Sequence, residues 1–228
     1  MVRALPRVLD QLGADPGVRV VVLRGAGGRA FAAGVDITDF SDSEGQSAVA
    51  TFEAEYAAML DRVRQFGRAA IAMIEGACVG GGVELALACD LRFAAEGSGF
   101  SIPAARLGLG YVDVEPLVAA IGPACAAEML FTGRRFDVSE LAASGLLNRI
   151  VPAPQLEETV YDCAAAIARN APLAIAASKV ALRTLARSRT VRDDATVRAA
   201  VEACFASGDF AEGQRAFLEK RPPQFTGR

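Results

Sequence analysis

Three consecutive glycines and a glutamate, Gly80-Gly81-Gly82-Val83-Glu84, separate a short apolar run from a second one that is apolar from Val83 to Cys89 except for Glu84. Glycine lets a second backbone or a ligand come close. Where such a turn opens a helix, the free N–H groups and the helix dipole stabilise negative charge, which an enolate or tetrahedral oxyanion develops. Tight strand–helix packing accounts for one glycine, not easily for three plus a carboxylate. Glu84 itself has two readings. Desolvation among Val83, Leu85, Ala86 and Leu87 would lift its pKa toward the range useful for proton transfer; alternatively it is a partly exposed first-turn glutamate favoured by the dipole.

A second glycine stretch, Gly25-Ala-Gly27-Gly28-Arg29-Ala30, fits the form G-x-G-x-x-A used where a pyrophosphate sits on a helix N-terminus. The segment after it, FAAGVDITDF, lacks a helical period, so a strand-to-loop connection competes with dinucleotide binding.

The elements that must carry these stretches follow from periodicity. Leu5, Val8, Leu9 and Leu12 mark an amphipathic helix, with Gly13 as its expected cap. Val18 to Leu23 predicts a buried strand, and Phe52, Tyr56, Met59, Leu60 and Val63 predict a helix after a polar stretch around Ser41 to Ser47. Ala69 to Ile74 predicts a second buried strand, followed by the glycine turn, a helix from about Val83, and a strand over Asp90 to Ala94. Strands separated by helices imply a largely parallel α/β spiral. Beyond Pro152 the pattern becomes helical, on Leu156, Val160, Cys163 and Ile167, then from Pro172 to Leu185, then on Val197, Val201, Cys204 and Phe205. The expected division is an α/β core over 1–152 and a helical segment over 153–228.

Composition narrows the function. Of 228 residues, 52% are apolar and 22% charged, which predicts folding throughout. Net charge is −3 and the basic residues are dispersed, leaving no footprint for nucleic acid. No histidine is present, so imidazole-activated nucleophiles and proton shuttles are excluded. Cys78, Cys89, Cys125, Cys163 and Cys204 lie singly in apolar surroundings and read as buried, reduced thiols, with no zinc spacing. The N-terminus lacks an apolar signal core, and the charge-free run from Pro116 to Ala127 falls short of a membrane span, which predicts a cytoplasmic protein without membrane contact.

Taken together, DPGVRVVVLRGAGGRAFAAGVDITDF, IAMIEGACVGGGVELALACDLRFAA, FSIPAARLGLG, TGRRFDVSELAASGLLNRIVP and AEGQRAFLEKRPPQF resemble the crotonase, or enoyl-CoA hydratase/isomerase, superfamily over nearly the whole chain. The resemblance implies an α/β fold of the crotonase (ClpP/crotonase) type, a spiral of ββα units with a C-terminal helical trimerisation segment, assembled as a homotrimer or homohexamer. It implies an acyl-coenzyme A substrate, with no metal or redox cofactor. The backbone N–H groups of Val35 and Gly81 would form an oxyanion hole for the thioester carbonyl, and Glu84 would act as acid or base. Ala33, Asp36 and Ile37 would cradle the adenine end of coenzyme A, and Lys220 would approach its phosphates, from a neighbouring subunit if not its own.

Two departures matter. Hydratases of the family carry a second glutamate just after the proline of F-G-x-P-E, and here that position is Ala104 in Phe100-Ser-Ile-Pro103-Ala104. Asp113 or Glu115 in GYVDVE can supply a replacement, Asp113 before Glu115; a loop acid or helix cap is the other reading. The resemblance also implies two further strands ahead of the first helix, where this chain starts. The expected function is hydratase/isomerase-type chemistry on an acyl-CoA, with a crotonase-like binder, hydrolase or decarboxylase as the alternative.

Overall fold

The computed structural model describes residues 1–35, 45–111, 113–170, 172–187, 202 and 206–224. Asp36 and Ile37 lie outside the described residues, as do Val197, Val201, Cys204 and Phe205.

Two four-stranded sheets are wound side by side. The first has the order β1 (Val20–Arg24), β3 (Ala69–Ile74), β5 (Leu91–Ala95), β8 (Arg149–Val151), with every pair parallel. The second has the order β2 (Ala30–Ala32), β4 (Ala77–Val79), β6 (Gly99–Ser101), β7 (Phe136–Asp137), parallel except for the β6–β7 pair. Each turn of the spiral lays one strand in each sheet. Helix α2 (Gly45–Arg64) follows β1 and β2, and α3 (Gly81–Ala88) follows β3 and β4.

The sequence AAIAMI explains β3. All six residues are buried, and their alternation serves two cores. Ala70, Ala72 and Ile74 join the main core with α1 (Ala4–Ala14), α2 and α3, while Ile71 and Met73 face Leu156, Val160 and Ala164 of α5 (Ala153–Ala168). A parallel strand covered on both faces needs this unbroken apolar run. Helix α6 (Pro172–Arg187) is tied down by Lys179, whose buried ammonium donates to Asp90 at 2.6 Å and to the Arg68 carbonyl at 3.0 Å. After Pro152 no strand occurs among the described residues.

Four features of the fold differ from what the sequence led us to expect. Gly13 does not cap α1, which runs to Ala14 with Asp15 at its end. The second sheet was not foreseen, because its strands are two or three residues long, too short for a period to register. GAGGRA joins β1 to β2 as a glycine turn, with Gly27 at φ 80° and Gly28 at φ 68°, and no helix N-terminus is there to hold a pyrophosphate. Cys78 and Cys89 are buried free thiols, but Cys125 and Cys163 are only half-buried.

Helix α4 (Val114–Thr132) is long and apolar enough by length and composition to cross a membrane. It is broken at Gly122 (φ 75°, ψ 161°) ahead of Pro123, and Leu117, Ile121, Ala126 and Met129 pack it into the main core. The last described helix, α7 (Gly208–Leu218), packs on the short 3-10 helix Pro103–Leu107, which carries Ala104.

Candidate active site

The site forms where the β2 strand end meets the start of α3. Gly34 has φ 94° and Gly80 φ 54°, conformations that L side chains rarely adopt. A Cβ on Gly34 would stand 3.1 Å from the Val79 carbonyl oxygen, so the close approach favours glycine there, while at Gly80, where a Cβ would meet only the Gly34 Cα at 3.9 Å, the positive φ is what favours it. This approach brings Val35 and Gly81 to one cavity of about 230 Å³, also lined by Ala32, Gly34, Phe52, Tyr56, Gly82 and the first two residues of the chain. Gly81 is the first residue of α3, so its N–H has no carbonyl one turn back to bond.

Glu84 is the only charged residue of α3, whose neighbours Gly82, Val83, Leu85, Ala86 and Ala88 are buried. It stands one turn beyond Gly81, on the same helix face. Burial pushes its carboxyl above the usual carboxylate range, and the negative charge of Asp113 adds to this. The hydroxyls of Tyr56 and Tyr111 and the Arg64 guanidinium pull it back down in part. Burial is the largest of these influences, and the net direction is upward.

The residues around it come from three places. Tyr56 on α2 donates its hydroxyl to the Gly81 carbonyl at 2.7 Å. Tyr111, in the loop before α4, has a buried hydroxyl beside Glu84 that makes no hydrogen bond of good geometry. Asp113 sits at the N-terminus of α4 without capping it, and accepts from Arg64 at 2.7 Å; Arg64 also donates to Asp61 at 3.2 Å. Asp113 is thus an acid paired with Arg64 whose negative charge also reaches Glu84.

Ala104 is half-buried against the main core and brings no carboxyl to the site. Ala33 is exposed beside the cavity mouth residues. Lys220 is exposed just past α7, in a left-handed conformation (φ 53°), and no residue of α7 or beyond lines the cavity among the described residues. Tyr56, Arg64 and Tyr111 were missed in the sequence. Tyr56 reads there as one more apolar position of an amphipathic helix, and only its hydroxyl at a helical core position hinted at a polar partner.

The model of the family described as enoyl-CoA hydratase/isomerase matches residues 1–228. The chain belongs to that family, within the crotonase superfamily. The carnitinyl-CoA dehydratase of Proteus mirabilis is 36% identical over 220 residues, covering 94% of this chain and 84% of the relative. Among solved structures, a methylmalonyl-CoA decarboxylase in complex with 2-nitronate-propionyl-CoA superposes with a TM-score of 0.91 at 32% identity, over 100% of this chain and 88% of the other. An enoyl-CoA hydratase from Bacillus anthracis follows with a TM-score of 0.76 at 31% identity, over 100% of this chain and 88% of the other. As a member of this hydratase/isomerase family the chain is an acyl-CoA enzyme by kinship, and its parallel spiral is the crotonase fold.

Proposed function

We propose that the chain binds an acyl-CoA thioester with the carbonyl oxygen between the N–H groups of Val35 and Gly81, and that Glu84 moves one proton at the adjacent carbon. Two backbone donors aimed at the developing oxyanion supply the electrostatic part, for which removing one such donor costs about 10²-fold or more in rate. Ala33, Asp36, Ile37 and Lys220 hold the coenzyme A. The scheme uses no metal or redox group.

The observation that carries the choice of reaction is a lone carboxyl, Glu84, on an otherwise apolar helix, with Ala104 in place of a second one and Asp113 engaged by Arg64. That arrangement favours loss of carbon dioxide from a 2-carboxyacyl-CoA. The carbon–carbon bond to the carboxylate breaks, its electron pair becomes the thioester enolate held by Val35 and Gly81, and neutral Glu84 protonates the carbon and recovers its proton from water. The methylmalonyl-CoA decarboxylase superposition points the same way. Hydration or dehydration, as the family's name and the carnitinyl-CoA dehydratase suggest, is the second reading; it is favoured by Asp113, whose charge reaches Glu84 and which can serve as the second carboxylate if Arg64 releases it.

Incubating the protein separately with malonyl-CoA, methylmalonyl-CoA and crotonyl-CoA, with products followed by mass spectrometry, tests the choice. Decarboxylated thioester from the first two supports the leading reading, and a hydrated product from crotonyl-CoA alone transfers support to the second. Assembly belongs to the same proposal. Val180, Leu182, Phe217 and Leu218 are each more than half exposed, an apolar surface that a trimer or hexamer would cover. Light scattering that finds only monomer would remove it.

A further inference from the structure

Tyr56 occupies a place that the reaction scheme leaves unexplained. Its ring stacks on Phe52 with centroids 5.9 Å apart and planes 14° apart, and both rings line the cavity. Its hydroxyl donates to the Gly81 carbonyl at 2.7 Å and presses so closely on that residue that a Cβ there would lie 2.5 Å from the phenol oxygen. Glu84 is close enough to feel that hydroxyl electrostatically, yet no hydrogen bond of good geometry joins the two while the phenol hydrogen stays on Gly81. A phenol has one hydrogen to donate. While Glu84 is neutral, its O–H can donate to the Tyr56 oxygen, whose own hydrogen stays on the Gly81 carbonyl. Once Glu84 has lost its proton it accepts only, and a bond from Tyr56 to the carboxylate is roughly twice as strong as one to a neutral carbonyl.

We propose that Tyr56 is a positioning residue that couples the two halves of the site: its hydroxyl holds the Gly81 peptide while Glu84 is protonated and turns to the Glu84 carboxylate when that proton leaves. No covalent bond of Tyr56 changes; only its hydrogen-bond acceptor does. The inference rests on the roles given above to Val35, Gly81 and Glu84. The other groups around Glu84 are fixed differently. Arg64 on α2 is engaged by Asp61 and by Asp113, which stands at the start of α4. Tyr111 is the second hydroxyl, and Cys78 of β4, next to Tyr56, is a thiol that burial holds protonated. Among the described residues, Tyr56 is the side chain that both bonds the Gly81 carbonyl and acts electrostatically on Glu84.

Two measurements separate this coupling from the reading beneath it. Infrared titration of the protonated-carboxyl band that disappears in Glu84→Gln reports the ionisation of Glu84 without turnover. In Tyr56→Phe, which keeps the ring stack, the midpoint should move up by about one pH unit, because a donor to the carboxylate is lost. Gly81→Ala, whose methyl displaces the phenol oxygen, should move it the same way. Deuterium exchange at the methyl of acetyl-CoA in D2O then reads enolisation, expected to slow by about tenfold in Tyr56→Phe with the acetyl-CoA dissociation constant unchanged. An unmoved infrared midpoint in both variants overturns the coupling. A moved midpoint with no exchange in the unaltered protein supports the coupling and overturns the enolate reading instead.

Discussion

Two glutamates of this chain, Glu84 and Glu212, are withdrawn from water and held in opposite charge states. Glu212 accepts two bonds from Arg221, at 2.6 and 3.0 Å, one from the Gln224 N–H at 3.0 Å, and a further contact from Arg215. These donors hold its carboxyl far below the usual range. Glu84 has no cation in direct contact among the described residues, and burial pushes it the other way. The two also face different space. Glu212 lines a depression of about 450 Å³ whose walls are the ion pairs themselves, whereas the smaller, more apolar cavity at Val35 and Gly81 is lined by Tyr56, the neighbour of Glu84, and not by Glu84 itself. A carboxyl saturated with donors fastens the C-terminal helix to the chain that follows it; one with few of them holds its proton to higher pH. The fold stabilises itself with the first and bears a cost for the second, the usual trade between stability and activity.

The largest effect that breaks the comparison is chemical. Glu84→Gln keeps shape and hydrogen bonding but removes the proton, so turnover of the responding thioester should fall by about 10² to 10⁴ with its dissociation constant held. Melting temperature should stay level or rise, because a carboxyl disfavoured by burial has been replaced by a neutral amide. Unchanged turnover would take Glu84 out of the mechanism.

Glu212→Gln should do the reverse, lowering the melting temperature while leaving turnover in place. The pH dependence sharpens the contrast. Glu212 is ionised more readily in the folded state than in the unfolded chain, so its stabilisation is full above the ordinary carboxylate range and is lost as pH falls toward its depressed value. Glu84 binds its proton more tightly when folded, so its contribution worsens as pH rises through and above that range. Thermal melts from pH 3 to 8 should show the acid-side slope reduced in Glu212→Gln, and the neutral-side gain appearing in Glu84→Gln.

The two carboxyls also differ in how far the sequence reveals them. The parallel core was legible: VVVL, AAIAMI and the run from Asp90 to Ala94 marked three strands of the first sheet, and the triple glycine marked the turn at Gly80–Gly82. Every partner of Glu212 follows it within a dozen residues, yet the pattern went unread because Arg and Glu so close to a chain end look like a solvated face. Glu84 was legible as a residue but not as an environment. Its neighbours Tyr56, Arg64, Tyr111 and Asp113 arrive from a helix before it and a loop after it, and no local period encodes that meeting. Strands as short as Gly99–Ser101 are likewise set by tertiary pairing, not by any run long enough to see.

Tyr111→Phe should produce a smaller change. Its hydroxyl makes no hydrogen bond of good geometry in the resting site, so the melting temperature should not fall. If that hydroxyl stabilises the Glu84 carboxylate or the reacting group, turnover should drop by about tenfold, the worth of one hydrogen bond to a charged partner. A fall in melting temperature with full turnover would make Tyr111 a packing residue only.

The smallest expected effect lies in the pair opposite Glu84. Asp113 raises the Glu84 carboxyl and at the same time occupies the Arg64 guanidinium, which acts to lower it. Asp113→Asn removes the negative charge and frees the cation to act on Glu84, and both changes favour the ionised form. The midpoint of the Glu84 titration should therefore move down, opposite in sign to Tyr56→Phe, and by less than about one unit because Asp113 and Arg64 are both partly open to water. If neutral Glu84 is the working acid, the alkaline limb of the pH–rate profile shifts down with it, while the maximal rate at lower pH is kept. The hydration reading requires the contrary: with Asp113 as the second carboxylate, Asp113→Asn would depress the rate across the whole pH range and leave no displaced limb to measure.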